Sequence, residues 1–316
     1  MLRGKKFTPG RILAHVKWRF ARLVFVKMFP FWQRLGFHIT QVRGSSPIPD
    51  TRTLNEDVWR RRSELIGIEM NEERQLALLA DFVGRFKTEY DRLPYHRAQI
   101  SKPYEYYIHN DLFGPVDGEI LYCMIRHFKP RTILEIGSGN STFLAARTTL
   151  VSSKDGGHGC ELVAIDPYAS DTLKAGFPGL SKLVSRKVQE VSLSEFSKLV
   201  QNDILFIDTS HMLRIGSDVQ YEYLEVLPRL NKGVIIHSHD IYLPAEYPKA
   251  LLNERKFFNE QYLLQAFLSF NDSFEILWAG WYMHLRHTDK LASAFNSYRR
   301  DRPWPLRGSF WFRKTK

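Results

Sequence analysis

The sequence predicts an α/β protein built on an open, mostly parallel sheet, with a helical extension in front of it. Two observations predict this. From Thr132 onward, short apolar runs alternate with helix-compatible segments, the pattern of strands that need a crossover before they pair in parallel. The first of these runs, Thr132-Ile133-Leu134-Glu135-Ile136, enters a turn with glycines at 137 and 139 and then a helix-compatible stretch, Phe143 to Arg147. A glycine-rich strand–turn–helix lets backbone approach a nucleotide-like ligand closely.

Residues 1–49 form a basic, amphipathic arm ending in a linker. The net charge of the whole chain is +11, and no acidic residue precedes Asp50, whereas ten lysines and arginines do. The remainder is almost balanced, which argues against a nucleic-acid groove spread over the fold and places the basic character in the arm. Apolar residues are interleaved with these cations, and Ile12, Val16, Phe20 and Leu23 share a helical spacing. Lys17, Arg19, Arg22 and Lys27 break the run, so it falls short of a spanning helix, and no small-residue cleavage site follows to suggest a signal peptide. Two readings stay open for residues 1–43: a peripheral contact with an anionic membrane, or packing on the protein's own body or in a homo-oligomer. Residues 44–50, Gly-Ser-Ser-Pro-Ile-Pro-Asp, are rich in breakers and read as a linker.

Residues 50–114 read as a helical and aromatic cap. The stretch 54–93 is mostly helical in pattern, with Asn71 offering a cap and Glu72 and Glu73 an acidic first turn. Residues 94–115 are irregular and aromatic. Residues 115–316 carry the strand–helix alternation. A helix over 117–128 leads to strands at 132–136, 162–165, 183–186, 204–207 and 234–237. Helices are expected at 192–199, 217–227 and 254–270, a long strand at 274–284, and a last strand at 308–313 after a connection rich in proline and arginine. The polar stretch 152–159 reads as a loop. With 44% hydrophobic residues the chain can bury a substantial core, and two cysteines, Cys123 and Cys160, make neither a disulfide framework nor metal-ligand spacing. A reduced, cytoplasmic setting is the default expectation, with membrane-peripheral placement through the arm as its variant.

The carboxylate two residues before Gly137 sharpens the glycine-rich turn. In dinucleotide fingerprints that place is usually apolar, and the third glycine would fall on Thr142. Glu135-x-Gly137-x-Gly139-x-Ser141 instead resembles motif I of class I S-adenosylmethionine-dependent methyltransferases, with Ser141 in place of the usual third glycine. The order of elements is similar to that family's Rossmann-like, seven-stranded, mostly parallel sheet with an antiparallel C-terminal strand pair. The resemblance implies S-adenosylmethionine as cofactor, held by Glu135, Gly137, Gly139 and Ser141, and a second acidic residue closing the second strand to hold the ribose hydroxyls. Leu162-Val163-Ala164-Ile165-Asp166 supplies Asp166, at a separation beyond the roughly twenty residues of a tight unit, with 152–159 absorbing the excess. Gln189 or Glu190, after the third strand, is a candidate for the adenine edge.

The fourth strand ends in Asp208-Thr209-Ser210-His211 and the fifth in His237-Ser238-His239-Asp240. In open α/β sheets ligands collect at this carboxyl edge. The joint pattern resembles a branch of O-methyltransferases, catechol-type and macrocin-type, associated with glycan assembly in bacteria. The resemblance implies that Asp208, His239 and Asp240 hold a divalent metal and that His211, with Asp208, is catalytic, His211 as general base. His239 stands where that branch usually has an acidic or amide ligand, and mixed nitrogen–oxygen ligation suits manganese, iron or zinc better than magnesium. An alcohol acceptor needs such help, because its proton must leave as the oxygen attacks a methyl group. The aromatic loop 240–248 and residues 104–109 are expected to shape the pocket for a small-molecule or glycan acceptor. A nicotinamide-dependent oxidoreductase and a non-catalytic scaffold of membrane glycan machinery are the alternatives; Glu135 and Thr142 speak against the former.

Overall fold

The computed structural model describes residues 17–299 and 308–316. The chain forms two compact units, Met1–Glu56 and Asp57–Lys316. In the first, residues 17–34 are mostly helical, passing through a wider π-helical turn at Leu23–Lys27 into the helix Phe29–Arg34, and residues 35–55 are turns and irregular chain. Ile12 and Val16 of the expected helical face lie outside the described residues.

The second unit is organised by one seven-stranded sheet: β1 (Thr132–Ile136), β2 (Glu161–Ile165), β3 (Lys182–Val184), β4 (Ile204–Ile207), β5 (Ile235–Ser238), β6 (Phe274–Ala279) and β7 (Phe310–Lys314), in the order β3-β2-β1-β4-β5-β7-β6. β7 runs antiparallel to both β5 and β6, and the other pairings are parallel. This is the Rossmann-like sheet expected, with its antiparallel C-terminal pair.

The strands are apolar on both faces because both are covered. Ile133, Ile204, Phe206 and Trp311 enter one core with Phe82, Phe86, Ile120 and Leu144 of the helices Glu72–Tyr90, Asp117–Phe128 and Asn140–Lys154. Leu134, Ile136, Leu205 and Ile207 enter the other with Val219, Tyr223 and Leu264. Arg126, itself buried, joins three helices on the first face: it donates to Glu89 at 2.9 Å and to Asp155 at 2.5 Å.

Several elements differ from the sequence expectation. The span 54–93 breaks into Glu56–Arg60, whose Trp59 Nε1 donates to the Tyr247 carbonyl (3.0 Å), and Glu72–Tyr90, with an irregular strap between them tied down by the Ser63 N–H to the Pro244 carbonyl (2.8 Å). Asn71 does not cap: it adopts a left-handed conformation, and its side-chain amide donates to the Ile276 carbonyl. The helix Asn140–Lys154 runs into the polar stretch taken as a loop. The expected strand at 274–284 stops at Ala279 and turns into the helix Gly280–Arg286, a change that apolar content alone does not signal. The helix at 254–270 is confined to Glu260–Leu268, with a separate short helix, Lys249–Asn253, ahead of the expected span. The helix at 217–227 becomes Asp218–Tyr221 followed by the π-helical turn Glu222–Val226. Most of the proline- and arginine-rich connection before β7 falls outside the described residues.

Candidate active site

β1 is flanked by β2 on one side and β4 on the other, so the chain order reverses there and a crevice opens past the strand ends. A cavity of about 450 Å³ occupies this crevice, lined by Gly137 and Ser138 after β1, Asp166 to Tyr168 after β2, Lys187 to Gln189 after β3, and Asp208 to Ser210 after β4.

Each lining residue is positioned by backbone contacts among the strand ends. Gly137 has φ +86°, and a Cβ there would stand 1.8 Å from the Asp208 carbonyl oxygen, so the β1 turn lies directly against the end of β4. Its N–H donates to the Ile165 carbonyl at 3.0 Å. Gly139 is different: its backbone is extended and a Cβ would meet nothing, so the turn itself does not demand glycine there. Asp166 accepts from the Ser138 hydroxyl with one oxygen and from the Tyr168 N–H with the other (2.7 Å). Gln189 lines the cavity with its amide donated to the Gly216 carbonyl at 2.9 Å, joining the loops after β3 and β4.

Glu135 and Ser141 lie behind the turn and do not line the cavity. The Ser141 hydroxyl donates to Glu135 Oε1 at 2.6 Å, while Oε2 is buried with no hydrogen-bond partner. Burial pushes the Glu135 carboxyl up to about 8, against the pull of Ser141 and Thr142.

Beside the cavity, the ends of β4 and β5 bring Asp208, His211, His239 and Asp240 together. His211 Nε2 is 3.3 Å from Asp208 Oδ1 and 3.6 Å from Asp240 Oδ2. His239 Nδ1 is 3.7 Å from Asp208 Oδ1 and 3.9 Å from Asp240 Oδ1. His211 and Asp240 both have positive φ (56° and 55°), strained turns that lift their side chains out of strand geometry.

Three further buried carboxylates, none singled out by the sequence, complete the cluster. Glu260 Oε2 accepts from His211 Nδ1 at 2.9 Å, and its other oxygen accepts from the Tyr223 hydroxyl at 2.8 Å. The Asn259 and Glu260 N–H groups both donate to the His211 carbonyl, so this helix start holds the loop and the ring together. Asp117 Oδ2 lies 3.5 Å from His239 Nε2. Glu222, in the π-helical turn, accepts from the Thr209 hydroxyl at 3.2 Å. One of these had a legible signal: Glu260 shares a helix stripe with Leu264 and Leu268, a carboxylate in an apolar row. Asp117 was hidden as an ordinary acidic first-turn residue.

The electrostatics follow from this crowding. Burial opposes a charged His211 ring, but its hydrogen bonds to Asp208 and Glu260 and the field of Asp240 outweigh burial and hold its pKa well above the ordinary value. His239 is raised likewise, burial being outweighed chiefly by the field of Asp208. Asp208 is held well below the carboxylate range: burial would raise it, and the field of His239 and the bond to His211 win. Burial, then the fields of Glu260 and Asp218, push the Glu222 carboxyl well above its ordinary value, against the bond from Thr209.

The donor set of Asp208, His239 and Asp240 suits a divalent ion, and His239 has a carboxylate behind its far nitrogen, the arrangement that orients metal-binding imidazoles. As the side chains stand, no group of three or more His, Cys, Asp or Glu among the described residues closes around a single point. An ion would have to displace the proton on His239 and draw these donors inward.

Tyr104 and Tyr106 serve packing. Tyr104 stacks on Phe177 at 5.4 Å, and Tyr106 is fully buried with its hydroxyl on the Phe113 carbonyl. Tyr242 and Tyr247 are buried in their own cluster with Leu251, and Tyr242 reaches the site through its hydroxyl, 2.5 Å from Asp240 Oδ1.

In open α/β sheets, a crevice at the switch point past the strand ends is where ligands bind, and this one is lined by carboxylates. Residues 134–241, which include the strand ends just described, match the family described as "Methyltransferase domain". An uncharacterized protein of Archaeoglobus fulgidus is 34% identical over 169 residues, 50% of this chain and 72% of that protein. Over residues 134–241 the chain is similar to this methyltransferase family, and it is an S-adenosylmethionine-dependent methyltransferase. Among solved structures, it is similar to an O-methyltransferase from Bacillus cereus in complex with S-adenosylhomocysteine: 15% identity, TM-score 0.37, 76% of this chain and 91% of that one. It is also similar to an S-adenosylhomocysteine-bound methyltransferase of Podospora anserina: 14% identity, TM-score 0.38, 76% and 88%. The family match leaves the nicotinamide alternative without support. No described helix is long and apolar enough to cross a membrane.

Proposed function

We propose that the protein transfers a methyl group to a hydroxyl oxygen of a small molecule, a sugar or glycan component being the acceptor class that fits the resemblance best. The observation that carries this reading is the pairing of His211 with Asp208 and Glu260 beside the strand-end crevice. An alcohol acceptor needs a proton-accepting group within reach, and an imidazole held between carboxylates is built to receive and keep a proton.

Within this reading Asp166 accepts the ribose hydroxyls, exchanging its bonds to Ser138 and Tyr168 for bonds to the sugar. Gly137 lets the turn lie close under the nucleoside, and Gly139, with open space above it, leaves room for the chain's approach to the ligand. Gln189 stands at the adenine end of the cavity, and Glu135, with one oxygen unpartnered, fixes Ser141 behind the turn. S-adenosylmethionine supplies the electrophilic methyl group when bound. Glu260 positions His211 through Nδ1, directing Nε2 toward Asp208 and Asp240, where the acceptor hydroxyl would give up its proton. The carboxylates strengthen His211's hold on a proton, so the ring serves better as base once part of their charge is taken up. A divalent ion held by Asp208, His239 and Asp240 would take up that charge and acidify the acceptor oxygen.

The test is mass spectrometry of hydroxylated acceptors, sugars and catechols among them, incubated with S-adenosylmethionine with and without chelator. The expected result is a methyl ether that forms in the presence of manganese or another divalent ion and is abolished by chelation. Full activity in chelator would leave His211 acting without metal; methylation of nitrogen or carbon alone would defeat the hydroxyl assignment.

A further inference from the structure

We propose that residues 17–37 are a docking surface for an anionic lipid bilayer. No residue of the helical turns Leu23–Lys27 and Phe29–Arg34 is buried. Trp18, Phe20, Leu23, Val26, Phe31 and Phe37 stand between 47% and 66% exposed, far more large apolar surface than a solvated helix carries without a partner. The segment holds Lys17, Arg19, Arg22, Lys27 and Arg34 and no acidic residue. Trp18, Arg19, Phe20, Arg22, Leu23 and Lys27 together line a shallow concavity of about 570 Å³, apolar groups alternating with cations around it.

The composition selects the occupant. A second copy of the same surface would bring cations against cations with no carboxylate to meet them. Single-stranded nucleic acid would match the charge and the aromatic rings, but the exposed aliphatic side chains of Leu23, Val26 and Leu35 have no stacking face to offer a base. A bilayer surface with acidic headgroups satisfies both components at once. The apolar side chains enter the acyl boundary, and the lysine and arginine stems extend back to the phosphates. The surface lies on the membrane and does not cross it.

The full-length protein, mixed with vesicles of phosphatidylcholine alone or of phosphatidylcholine with phosphatidylglycerol, tests this by co-sedimentation. The expected result is binding to the anionic vesicles, weak binding to the neutral ones, and loss of binding as salt is raised. The triple variant R19Q/R22Q/K27Q should bind anionic vesicles on the order of a hundredfold more weakly. Calorimetry with S-adenosylhomocysteine provides a separate control: the variant keeps the wild-type affinity, whereas loss of cofactor binding in the wild type would count against the methyltransferase reading alone. Equal binding to both vesicle types, no binding to either, dimerisation that hides the surface, or tighter binding to a single-stranded oligonucleotide than to anionic vesicles would overturn the proposal.

Discussion

At the scale of single residues, the site rests on a few positions whose neighbours leave little freedom. Gly137→Ala would push a methyl group into the Asp208 carbonyl, so the β1 turn and the end of β4 must separate. Its melting temperature should fall and S-adenosylhomocysteine binding should be lost or strongly reduced; a variant with wild-type affinity would show that the turn is not held this closely. His211→Ala should depress turnover by about a hundredfold or more while sparing cofactor affinity, and unchanged turnover would remove it as the proton acceptor. Glu135 gives a stability prediction. Its folded pKa of about 8 lies above the unfolded value, so the unfolded chain releases the proton first as pH rises. Between about pH 4.5 and 8 the wild type should therefore lose stability relative to Glu135→Gln, at up to about 1.4 kcal/mol per pH unit. Urea unfolding of the two proteins at pH 5 and pH 8 checks it; a constant difference would mean Glu135 is ionised in the fold.

At the scale of elements, strand ends were legible because β1 and β4 are short, largely apolar runs, closed by Gly137 and Asp208, and both match the expected bounds. Helix ends were less legible. Asn71 reads as a cap by residue type, yet tertiary contacts send its amide to Ile276. The run 274–284 reads as one strand because a buried strand and a buried helix are equally apolar. Asp208, His211, His239 and Asp240 were legible because they close two strands of a parallel sheet. Glu222 was not, and Glu260 was legible only as a carboxylate in an apolar stripe, because both reach the site from helical turns whose position only packing shows. The same dependence on packing governs Arg126, whose partners sit on two other helices. Glu89→Ala removes one partner of this buried guanidinium and the acceptor of the Tyr122 hydroxyl, and should cost about 2 kcal/mol in urea unfolding. A loss within a few tenths of a kcal/mol would mean Asp155 alone suffices.

At the scale of the whole molecule, the arrangement of β1 between β2 and β4 decides where chemistry can occur. Two carboxylates, Asp166 after β2 and Asp208 after β4, face one crevice on either side of the end of β1, and a group of buried acids stands behind the second. The basic character read from the sequence belongs to the first unit, a separate compact body, so the nearly neutral second unit meets its ligands by local geometry and not by long-range attraction. The central claim is that the crevice holds the methyl donor through Asp166. Isothermal titration of the full-length protein with S-adenosylhomocysteine tests it most directly. The account predicts one saturable site in the wild type and at least about a tenfold loss of affinity in Asp166→Ala, the minimum expected when a carboxylate's bonds to two ribose hydroxyls are removed. No heat with the wild type, or equal affinity in the variant, would contradict it.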